Sequence, residues 1–104
     1  MLTVERQDGP TAVTINPRGE VDPDSAPALD EALDAVLADV ATTPIVVDLS
    51  GVRFLDSAGI GALLRGRRHT LAAGRSFRII GARDFVADVL HLAGVWNLLA
   101  GSAP

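Results

Sequence analysis

The chain contains no cysteine and no lysine. Without cysteine there is no disulfide and no thiolate metal site, a pattern that suits a reducing compartment. All nine basic residues are arginine, so any chemistry that needs a lysine amine is excluded. No apolar run approaches the ~18 residues that span a bilayer, and no membrane insertion is expected. No basic segment at the N-terminus leads into an apolar stretch, so no signal peptide is read and the expected location is the cytoplasm. Clustered cations are missing too. The net charge is −4, which argues against nucleic-acid binding, because that needs cations to displace phosphate counterions.

The 104 residues, 48% of them apolar, suffice for one ordered domain spanning 1–104. Leu2-Thr3-Val4-Glu5-Arg6 and Thr11-Ala12-Val13-Thr14-Ile15-Asn16 alternate apolar and polar residues around Asp8-Gly9-Pro10. They read as an antiparallel hairpin. Pro17-Arg18-Gly19 then leads into a loop through Asp24, and a first helix starts near Ser25, capped by Ser25 or Asp24. Leu29, Leu33, Val36, Leu37 and Val40 recur on it at helical spacing.

Ile45-Val46-Val47-Asp48-Leu49 is a short apolar run suited to a central strand covered on both faces. Ser50 to Leu55 reads as a connection with Phe54 and Leu55 buried. A second helix spans about Ser57 to Ala72, with Ile60, Leu63, Leu64 and Leu71 available to the core, and Gly74 closes it. Phe77-Arg78-Ile79-Ile80 is a strand, and Phe85 to Leu92 a third helix stopped near Gly94. Val95 to Leu99 reads as a last edge strand, and residues 101–104 as a frayed tail. The fold class is therefore α/β, in the order ββαβαβα(β). An N-terminal antiparallel hairpin joins a mixed sheet, otherwise mainly parallel, packed with about three helices.

Sites in such sheets lie at the carboxyl ends of parallel strands. There the chain reads Asp56-Ser57-Ala58-Gly59. A serine at a helix start serves as an N-cap, a nucleophile or a regulatory acceptor. A nucleophile needs a base within reach. His69 lies twelve residues along the same helix, about 18 Å away at 1.5 Å per residue, and His91 belongs to the third helix. Leu55 also replaces the first glycine of a nucleophile elbow. The string from Gly59-Ile60-Gly61 loses its last glycine to Leu64, and no P-loop lysine exists. A phospho-aspartate receiver fails on the same missing lysine. Arg65, Arg67, Arg68 and His69 read as a solvated face complementing the helix dipole, and Trp96 reads as core.

Gly19-Glu20-Val21-Asp22, then Ile45 to Val52 followed by Phe54-Leu55-Asp56-Ser57-Ala58-Gly59, then Leu92-Ala93-Gly94-Val95 resemble, in order and spacing, the STAS domain of sulfate transporters and anti-sigma factor antagonists. The resemblance implies a protein that performs no catalysis, needs no cofactor, and binds an anti-sigma factor that is also a serine kinase. It implies that phosphorylation of Ser57 releases that partner, that a phosphoserine phosphatase resets the switch, and that transcription in a stress response is thereby regulated. The expected partner-binding residues are Asp22, Asp56, Ser57, Ala58, Gly59, Ile60 and Gly61, with Ile60 equally suited to the core. Two departures stand out: Ala58 replaces a frequent second hydroxyl, and the chain stops soon after Leu99. An accessory subunit of a lipid-transport ABC complex and an antagonist-like subunit of a stress-sensing assembly are the alternatives.

Overall fold

A computed structural model describes residues 1–101; the tail expected to fray lies outside them from Ser102 onward. β1 (Leu2–Asp8) and β2 (Val13–Val21) form the hairpin, in register from Leu2↔Gly19 to Asp8↔Val13. β2 runs past its expected end at Asn16, through Pro17, because its second edge changes partner there. Residues 13–15 pair in parallel with β3 (Ile45–Asp48), and residues 19–21 with β4 (Val52–Leu55). The N–H groups of Val13 and Gly19 point to that edge, toward Pro44 O and Gly51 O. Pro17 shares their parity, so its missing N–H falls in the gap between the two partner strands.

Gly19 makes the change of partner possible. Its φ is +114°, and a Cβ there would stand 2.2 Å from the Met1 carbonyl oxygen. The register shifts between Gly19 and Glu20 as at a bulge. The stretch expected as a connection thus contains β4. Ser50-Gly51 only interrupts the chain before it resumes along the same neighbour.

α1 (Ala26–Leu37) follows β2, α2 (Ser57–Ala72) follows β4, and β5 (Phe77–Ile80) pairs in parallel with β3. α3 (Asp84–Leu92) and α4 (Trp96–Ala100) complete the chain. The expected last strand is therefore a helix. Gly94 ends α3 at φ +75°, the Leu99 N–H donates to Val95 O, and Leu99 is fully buried. A five-residue apolar run carries no period that separates the two states.

Val13, Ile15, Ile45, Val47, Phe77 and Ile79 join Leu29, Leu33, Leu63, Leu90 and Leu99 in one core, to which all four helices contribute. Each large side chain there is stabilising by roughly 1.5–3 kcal/mol. The alternate residues Thr14, Asn16, Arg18 and Arg78 are half-buried or exposed. Val46 is buried but lies outside the core, between Thr14 and Arg78 in register. β3 is therefore helix-covered on one face, not two. α2 buries Gly59, Ala62, Leu63, Gly66 and Thr70, leaves Ile60 and Leu64 half-buried, and exposes Leu71. Its inner stripe is mostly small residues, which lets the helix approach the sheet. Val40 is exposed beyond the end of α1. Among the described residues no helix is long and apolar enough to cross a membrane.

Candidate functional site

β2 and β4 run parallel and finish together at Val21↔Leu55, and the Asp56 N–H donates to Val21 O at 3.3 Å. Asp22 and Asp56 thus leave neighbouring strand ends side by side, with strands about 4.8 Å apart. Each carboxylate fastens the turn that follows it. Asp22 Oδ1 accepts from the N–H groups of Asp24 at 3.0 Å and Ser25 at 2.9 Å. The Ser25 hydroxyl accepts from the Asp22 N–H and lies 2.8 Å from Glu20 O and 3.0 Å from Asp22 Oδ1. Ser25 stands at the N-cap position of α1 but makes no side-chain cap bond, because its hydroxyl faces back into this turn. Donation from the Ser25 N–H, then from its hydroxyl, holds the Asp22 carboxyl below the usual carboxylate range.

Asp56 caps α2. Its Oδ1 accepts from Ala58 N–H at 2.9 Å and Gly59 N–H at 3.3 Å, with extended backbone at φ −118°. The capping function is therefore taken by the residue before Ser57. Ser57 is the first residue of α2, is exposed, and its hydroxyl makes no hydrogen bond among the described residues. Ala58, Ile60 and Gly61 are half-buried, with Ala58 and Ile60 packed against the core.

Gly59, expected among the partner-binding residues, is buried. A Cβ on it would stand 2.3 Å from Leu55 Cδ1 and 3.0 Å from Val21 Cγ1. Its small size lets the first turn of α2 sit on the ends of β2 and β4. Gly59→Ala gains helix propensity of ~1 kcal/mol but must push two core side chains aside at ~1–3 kcal/mol. The expected outcome is a net loss near 1 kcal/mol, read as a lower urea midpoint at an unchanged slope; a variant as stable as the wild type contradicts this packing.

α1 and α2 begin at the same end of the sheet and lie parallel. Arg65 on α2 donates to Asp30 on α1 through Nε at 3.3 Å and Nη2 at 3.0 Å. One turn on, His69 Nδ1 lies 3.7 Å from Asp34. The basic group is thus partly a tie between helices. Both positive helix ends face the side of the molecule that carries Ser57, where they favour an anion.

Phe54, expected to be buried, is 38% exposed and stacks on Phe85, with ring centroids 5.8 Å apart. Strand alternation beside the buried Leu55 is the signal that places Phe54 outward. Trp96 is half-buried and stacks on His91 at 4.2 Å.

The family model described as Mlab, STAS domain matches residues 3–100. The chain is 32% identical over 94 residues to the anti-sigma-F factor antagonist RsfB of Mycobacterium tuberculosis, covering 90% of this chain and 74% of that protein. In structure it is similar to an anti-sigma factor antagonist from Mycobacterium paratuberculosis, at TM-score 0.81 and 30% identity over 91% of this chain and 80% of that one. The phosphorylated form of the Bacillus cell fate determinant SpoIIAA shares the fold, at TM-score 0.68 and 20% identity over 91% of this chain and 85% of that one.

Proposed function

This chain belongs to the STAS domain family, and from that premise we propose that it is an anti-sigma factor antagonist switched at Ser57. It binds an anti-sigma factor that is also a serine kinase, in the cytoplasm, and so frees a sigma factor. The kinase transfers a phosphoryl group from its nucleotide to the Ser57 hydroxyl, whose proton is lost, and the modified antagonist dissociates. A phosphoserine phosphatase restores the binding form. The antagonist itself is a substrate and a binding partner, with no catalytic residue of its own.

The observation that carries this reading is the division of labour at the start of α2. Asp56 caps the helix, so Ser57 is left exposed and, among the described residues, unbonded at the first helical position. A phosphate there meets helix-start N–H groups and the positive dipole end, so the domain accepts it without unfolding. A docked protein meets about −1.5 to −2 added charges instead, next to Asp22 and Asp56.

Mass spectrometry of the protein recovered from its native cell with its partner retained tests the assignment. The expected result is an anti-sigma factor as partner and a single phosphosite at Ser57. Recovery of a transporter ATPase as the main partner, or full labelling of Ser57→Ala by the kinase, overturns it.

A further inference from the structure

A cleft of about 170 Å³ opens between the turn after β3 and the turn before α3, with Ser50, Arg53, Arg83, Asp84 and Phe85 among its lining residues. We infer that this cleft, with the Phe54–Phe85 stack on its rim, is a second contact for the anti-sigma factor. It takes a segment of that partner bearing a large apolar side chain beside a carboxylate. The inference rests on the antagonist reading above and names a recognition surface apart from the phosphorylated serine.

Three features select that occupant. The first is apolar. The chain has only three phenylalanines and one tryptophan, yet Phe54 and Phe85 lie 38% and 50% exposed, stacked at an interplanar angle of 12°. Exposed aromatic anchors of this kind carry binding energy when a partner buries them. The second is charge. Arg83 has no carboxylate within ion-pair distance among the described residues, and its Nη2 donates to Ser50 O at 3.0 Å, which holds the guanidinium at the mouth. Arg53 is already paired with Glu20, through Nε at 3.4 Å and Nη2 at 3.3 Å, and Asp84 is the acidic group on the same rim, which leaves Arg83 as the guanidinium available to a partner. On a chain of net charge −4, a free guanidinium beside an aromatic pair favours an acidic, apolar segment. The third is continuity. Phe54 precedes Ser57 by three residues, at most about 10 Å of backbone, so a protein seated over Ser57 reaches the stack. Asp84, at φ +51°, makes the turn from which Phe85 projects.

The test is titration calorimetry with the purified anti-sigma factor recovered with the wild-type protein, using Phe85→Ala and Arg83→Glu, both exposed positions. Phe85→Ala is expected to weaken binding ~10–30-fold. Arg83→Glu is expected to weaken it about tenfold, with a loss that shrinks as salt rises. Thermal unfolding of Arg83→Glu should stay close to the wild type, and Phe85→Ala, which loses the stack on Phe54, should unfold lower by no more than ~4–8 °C, so both stay folded at the titration temperature. If Ser57→Asp loses binding while both cleft variants keep wild-type affinity, the cleft contact is overturned and the phosphoswitch stands. If the wild-type protein binds no anti-sigma factor, both readings fall. Sedimentation of the protein alone supplies the remaining arm: self-association abolished by Phe85→Ala gives the cleft to a second copy and overturns the inference.

Discussion

Ser57→Asp is expected to bind the anti-sigma factor about a hundredfold more weakly than the wild type, while Ser57→Ala binds as well or better. The magnitude follows from charge. One added repulsive pair at ~6 Å and an effective dielectric of ~20 costs about 3 kcal/mol, which is roughly a hundredfold in affinity. Phosphoserine carries about −1.5 to −2 charges and should weaken binding further, and desolvating a dianion in an interface adds to the cost. The isolated domain should respond differently. Asp56 already occupies the cap through Ala58 and Gly59 N–H, so a charge at Ser57 replaces no internal hydrogen bond, and the unfolding midpoint should stay within ~2 °C. The affinity difference should also narrow as salt is raised, because the site is exposed. Surface binding of Ser57→Asp at wild-type affinity sinks the electrostatic switch, and a large fall in its unfolding midpoint sinks the claim that the fold accepts the charge.

Which parts of this arrangement were legible in the sequence depends on where the determining contacts lie. α2 begins at Ser57 and ends at Ala72 as expected, because its start and stop are local: a capping carboxylate before it and Gly74 after it. β5 is equally local. β4 was hidden because Ser50-Gly51 reads as a turn, and only the bulge at Gly19, far away in the chain, lets Val52–Leu55 rejoin β2. α4 was hidden because its helical state depends on Leu99 reaching the core and on Trp96 meeting His91. The serine proposed as acceptor was legible only as a residue type at a helix start. The pairing of Asp22 with Asp56 required the register Val21↔Leu55, and the freedom of Ser57 required knowing that Asp56 takes the cap.

Arg75 went unmarked for the same reason, and its replacement should have the largest effect on stability. Nothing in Gly74-Arg75-Ser76 marks it locally, yet it is only 3% exposed. Its Nε donates to Thr43 O at 2.8 Å, Nη1 to Val36 O at 3.2 Å and Nη2 to Thr43 Oγ1 at 3.2 Å. One guanidinium thus ties the turn before β5 to the end of α1 and to the turn before β3. No carboxylate pairs with it among the described residues. Carbonyl oxygens do, including Val36 O near the negative end of the α1 dipole. Arg75→Ala removes these charge-assisted bonds and the packed stem, leaving the buried Val36 O unpaired at ~1–3 kcal/mol and the half-buried Thr43 O and Oγ1 without their donor. Partial access of water brings the expected loss to about 3 kcal/mol, or a midpoint lower by ~12–24 °C. Arg75→Lys should recover only part of it, because one ammonium on a flexible stem does not span three acceptors held by a planar fork. The proposed anti-sigma contact lies at the opposite ends of β2 and α2, so affinity measured well below the lowered midpoint should stay unchanged. Urea unfolding that places Arg75→Ala within ~0.5 kcal/mol of the wild type would mean that water replaces the guanidinium at no cost, and that the α1 end is held by its apolar contacts alone.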